Sequence, residues 1–151
     1  MAHDTRQGSS AAERHVLGAR ALQAMTVVTG GFAASMVLTP WPSHLFSRVA
    51  LGDWTTFATR GEVGSYVEFS YAVIGATMIG WMFALWWIVG QVRSGTPGAW
   101  GVAVMSIVGW FVVDSTTSVL RGYPGTAARN LVFAVPFAIG LWLTRPRRAA
   151  G

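Results

Sequence analysis

Asp114 interrupts a membrane-like wall. In the stretch GWFVVDSTTSVLRGYPGTAARN, residues 109–130, it follows Val112 and Val113 and precedes Ser115, Thr116, Thr117 and Ser118. Arg121, Arg129 and Asn130 come from the same stretch, and Glu68 stands in the apolar run before it. Carboxylates, guanidinium groups, an amide and hydroxyls at one depth of a bilayer can lock helices together by ion pairing. They can equally bind a cation, exchange a proton or hold a polar head group. An ionised carboxylate at a helix centre in hydrocarbon costs about 2.5–3.5 kcal/mol on insertion scales, so Asp114 must find a partner. Arg129 is the expected one, with Arg121, two turns from it, as the second choice.

Other chemistries are excluded or unsupported. There is no cysteine, which removes disulfides, thiolate metal sites and cysteine nucleophiles. His3, His15 and His44 all fall outside the apolar runs, so haem held by two histidines has no ligands, and no metal site of ordinary composition is expected. Gly-x-Ser-x-Gly and phosphate-cradling glycine loops are absent, and no cofactor or catalytic set is assigned.

The elements that position these groups follow from composition. Of 151 residues, 52% are hydrophobic and 11% charged, the balance of a chain whose solvent is lipid. Four apolar runs, about 21–39, 66–92, 99–120 and 127–144, are long enough to cross roughly 30 Å of hydrocarbon at 1.5 Å per residue. The expected fold is an all-α integral membrane protein, a four-transmembrane-helix bundle. Residues 1–20 form a partly helical N-terminal tail, 21–144 the transmembrane domain and 145–151 a basic tail.

Turn chemistry marks the boundaries. Ser10 to Glu13 reads as a capping box, and Pro40 and Pro42 stop the first span. Gly95-Thr96-Pro97-Gly98 is a tight turn with Thr96 as N-cap, Gly122 suits a helix C-terminus, and Thr126 caps the fourth span. Between the first two spans, 40–65 is the longest connection, and 43–51 reads as a short interfacial helix with Leu45, Phe46 and Val49 on one face. His44, Arg48 and Trp54 are lid candidates over the polar layer. Gly30 with Ala34, Gly31 with Ser35, and Ala76 with Gly80 are small residues four apart that let helices approach closely.

All eleven basic residues are arginine, which suggests a GC-rich bacterial source. The formal charge of +5 and pI near 11.1 would suggest nucleic acid in a soluble chain, but here the arginines flank apolar runs. Arg6, Arg14, Arg20, Arg93, Arg145, Arg147 and Arg148 lie on one side, and Arg48, Arg60, Arg121 and Arg129 on the other. The expected location is the bacterial inner membrane with both termini cytoplasmic. The length of the first span argues for an uncleaved anchor. Asp114, Glu68, Arg129, Arg121, Asn130, Ser115, Thr116 and Ser118 then converge in one outer-leaflet layer.

Trp110, Phe111, Val112, Val113, Asp114 and Ser115, followed by Ser118, Gly122, Pro124, Asn130, Val132 and Phe133, resemble a group of small bacterial four-helix membrane proteins, the BphX-like family. The resemblance covers 109–137 and implies four spans and no established activity. It does not extend to the long N-terminal tail or the Trp-rich outer loop.

The leading functional expectation is a non-enzymatic accessory or structural subunit, or a small homo-oligomer, with the bilayer and a second copy or a larger membrane complex as partners and no nucleic acid. The alternative is a small transporter or ligand-binding protein using an outward-facing polar pocket around Asp114. A lipid-modifying membrane enzyme is third. The first predicts that Asp114→Asn impairs assembly; the second, a cavity beside Asp114 rather than a dry Asp114–Arg129 pair.

Overall fold

The computed structural model describes residues 2–42, 44–45 and 61–146, with the backbone alone for 2–11. Nearly all of the expected interfacial helix, and the lid candidates Arg48 and Trp54, lie outside these residues. The described chain is all-helical: α1 (Ala2–Leu38), α2 (Glu62–Arg93), α3 (Ala99–Leu120) and α4 (Pro124–Leu143). Each of the four contains a stretch long and apolar enough to cross a membrane.

The helices form a ring. α1 packs on α2 and α4, and α3 closes the circuit by packing on both of those. Both ends of the described chain and the α2–α3 turn share one end of the bundle, the terminal end. The α3–α4 turn and the finish of α1 share the far end.

Glycine and proline set the turns, with details the local pattern did not resolve. α2 and α3 both close in Schellman motifs, because Gly95 and Gly122 supply the left-handed φ of +72° and +85°. After α2, Gly95 N–H donates to Val92 O at 3.1 Å and Thr96 N–H to Gln91 O at 3.0 Å; after α3, Gly122 donates to Val119 O at 3.0 Å and Tyr123 to Ser118 O at 2.8 Å. Two expected caps are displaced. Gly98, not Thr96, is the N-cap of α3, and Pro124 already occupies the first turn of α4, so Thr126 lies inside that helix. α1 likewise begins well before Ser10 and runs through the expected capping box.

The main buried apolar cluster lies toward the terminal end. Leu22, Met82, Leu85, Val89, Val92, Ala99, Ala103, Ile107, Phe137 and Leu141 form one buried cluster there. Three long-range hydrogen bonds stitch the same half: Trp81 Nε1 donates to Ser106 Oγ at 2.7 Å, Trp100 Nε1 to Leu141 O at 2.9 Å, and His15 Nε2 to Val92 O at 3.2 Å. Ser106→Ala removes the α2–α3 bond and is expected to cost about 0.6 kcal/mol, the average for such bonds between membrane helices. Unfolding in mixed micelles measures it.

The close helix approaches are made by other glycines than those expected. A Cβ on Gly75 would stand 2.6 Å from Ala33 O, and one on Gly140 would stand 2.7 Å from Leu22 Cγ. Gly31 and Gly80 have open space where a Cβ would be, and Gly30 makes ordinary contact with Met82 at 3.7 Å. Spacing of four identifies a stripe of small residues but not the side of the helix that meets a neighbour.

Candidate functional site: a four-walled cavity in the far half

Above the buried cluster the bundle is hollow. A cavity of about 870 Å³ is walled by all four helices and reaches the far end at Arg121 and Tyr123, both exposed. Its deepest residues sit at matching depths because each helix contributes 1.5 Å per residue. Trp110 lies ten residues below Leu120, about 15 Å of helix, and Thr29 nine residues below Leu38, about 14 Å. Aromatic packing supports this floor: Trp81 meets Trp110 and Phe32 meets Phe133, each pair at 5.6 Å between ring centroids.

Asp114 lines the cavity one turn above Trp110, and its partner is Asn130. The Asn130 amide donates one hydrogen to Asp114 Oδ2 at 2.5 Å and the other to Ser115 Oγ at 3.1 Å, tying α4 to two successive residues of α3. Asn130 is only 9% exposed, so this is an interior bond. Arg129, the expected partner, instead donates from Nη2 to Thr126 Oγ1 at 2.8 Å and lines the cavity. The reason is azimuth. Successive residues on a helix are about 100° apart, so the α3–α4 hairpin sets the depth of 129 and 130 together but brings only one of them against α3.

The rest of the expected layer divides. Ser118, Arg121 and Arg129 line the cavity with Asp114 and Asn130, and Thr117 joins them. Ser115 is held by Asn130 and is not among the lining residues, nor is Thr116, which is exposed. Glu68 leaves the layer: its Oε1 lies 3.1 Å from His44 Nε2, joining the segment after α1 to α2. His44 is thus held at the far end through Glu68.

Among the lining residues that sequence reading did not single out, Thr29 differs from the other threonines. Thr26, Thr77 and Thr144 each donate their hydroxyl to the carbonyl four residues earlier, at 2.9, 3.0 and 2.9 Å, as threonines in apolar helices commonly do. Thr29 does not. It is 3% exposed, it is among the lining residues, and its Oγ1, itself buried, has no hydrogen-bond partner among the described residues. The only signal was its place on one face of α1 with Phe32 and Met36, the i, i+3, i+7 spacing that reads as ordinary packing.

The arrangement can therefore surround an apolar body with Phe32, Ile74, Met78 and Phe133, and offer the polar layer of Asp114, Asn130 and Arg129 above it. No family model, no curated protein and no solved structure matches the chain, so its chemistry rests on this geometry.

Proposed function

We propose that the protein is a multi-pass membrane protein that holds a small amphipathic molecule in its far-half cavity, with the far end facing outward. The observation that carries this reading is the cavity itself, about 870 Å³ and walled by all four helices, with Phe32, Ile74, Met78 and Phe133 around an apolar interior and the Asp114, Asn130 and Arg129 layer above them. The exposed apolar faces, including Phe83, Trp87, Met105, Val113 and Val132, suit hydrocarbon as the surrounding solvent. Holding is favoured over conduction because the cavity stops at the solid core around Leu85 and Phe137. Any path to the terminal end would have to open that core.

Trp110 on the cavity wall provides the readout. A brominated dodecanol added to the purified protein is expected to quench part of the tryptophan fluorescence saturably, and Trp110→Phe identifies the component that is lost. Thr29→Phe fills the floor and should weaken this binding by more than about tenfold. Quenching that never saturates, or that Thr29→Phe leaves unchanged, defeats the proposal.

A further inference from the structure

Among the described residues, positive charge is concentrated at one end. The terminal end carries Arg6, Arg14, Arg20, Arg93 and Arg145 against Asp4 and Glu13, five positive charges minus two negative ones, and the far end carries Arg121 and Arg129 against Glu62, Glu68 and Asp114. A second concavity lies there, a groove of about 500 Å³ between the early turns of α1 and the finish of α4, lined by Arg14, His15, Trp142, Leu143, Arg145 and Pro146 together with Ala12.

Glycine brings the two arginines together from opposite ends of the chain. A Cβ on Gly18 would lie 2.6 Å from Leu143 Cβ and 2.9 Å from Thr144 Cγ2, and one on Gly140 would meet Leu22, so α1 and α4 touch here almost backbone to backbone. Arg14 stands one turn before Gly18, and Arg145 just beyond α4. His15 is oriented by its bond to Val92 O, and the Thr144 hydroxyl is turned inward to Gly140 O and Leu141 O. Arg14 and Arg145 are exposed, and Trp142, 68% exposed, presents an apolar flank beside them.

We propose that this groove binds the phosphate head of an anionic phospholipid. Two guanidinium forks match phosphate oxygens in geometry as well as charge. The apolar lining of Trp142, Leu143 and Pro146 fits the glycerol and first methylenes of a lipid, a surface that a free phosphate ion would leave uncovered. A tryptophan at this level suits the boundary between head groups and chains. The site rests on membrane residence alone and is independent of what the far cavity holds.

Native mass spectrometry of the full chain released from detergent tests it with three probes: phosphatidylglycerol, phosphatidylcholine and sodium phosphate. Phosphatidylglycerol is expected to be retained in preference to phosphatidylcholine, and R14Q/R145Q to lower that preference by about thirtyfold, given the attraction per arginine at an anionic surface. R20Q/R93Q removes the same charge from exposed positions outside the groove and should change the preference much less. Equal losses in the two double variants would overturn the proposal in favour of diffuse charge. Sodium phosphate displacing the lipid at equal concentration would overturn the lipid as the ligand, and so would equal retention of both lipids by the unaltered chain.

Discussion

Asn130→Leu is expected to destabilise the protein by about 3 kcal/mol, close to the cost of leaving an uncompensated charge in a membrane helix. The amide it removes makes both hydrogen bonds that join α4 to Asp114 and Ser115, in a layer where Asn130 is almost wholly buried. Leucine fills much of the same volume, so the loss reports the bonds and not a cavity. Asp114→Asn should be far milder, below about 1 kcal/mol, because an amide oxygen at position 114 still accepts from Asn130. The Asp114→Leu/Asn130→Leu pair should recover part of the single-variant loss, giving a coupling of at least about 1 kcal/mol in a double-mutant cycle. Reversible unfolding in mixed micelles supplies all four values. A stable Asn130→Leu protein, or additive single and double effects, would show that this bridge holds nothing together. The cycle also separates two functional expectations, since a purely anchoring role for the Asp114 charge requires Asp114→Asn to be damaging.

The second large effect is expected from a single methyl group. Gly75→Ala places a Cβ 2.6 Å from Ala33 O and 2.9 Å from Met36 Cβ, against backbone that cannot rotate away. Overpacking of this kind costs up to about 3 kcal/mol or more, and the better helix propensity of alanine offsets about 1 kcal/mol of that. A net loss of about 2 kcal/mol should appear as a fall of roughly 6 °C in the thermal midpoint. Gly80→Ala and Gly31→Ala add the same methyl where nothing lies within 4 Å, and they should be neutral or slightly stabilising. Were Gly75→Ala to match those controls, the α1–α2 contact could not be as close as described.

Comparing particular residues shows why some of the architecture was readable in the chain and some was not. The span 99–120 coincides with α3, and Pro40 ends α1 at Leu38, because apolar length and proline act locally. Gly122 closes α3 as read, since only a residue at ease with positive φ completes that turn. Thr96 and Thr126 were misplaced as caps because Gly98 and Pro124 satisfied the helix starts first. Asp114, Ser118, Arg121, Arg129 and Asn130, all from one hairpin, line one cavity. Glu68 was expected with them, but His44 from the segment after α1 holds it elsewhere.

Composition and local chemistry were thus sufficient for four apolar helices and for where α1, α2 and α3 stop, because rise per residue and turn preference depend on neighbours in the chain. Azimuth was decided by packing. Whether Arg129 or Asn130 meets Asp114, whether Gly75 or Gly80 touches another helix, and whether Thr29 bonds its own backbone or faces a cavity all depend on how four helices rotate against one another. That rotation is the joint outcome of side-chain ridges fitting grooves on elements far apart in sequence, and it appears only when the bundle is assembled.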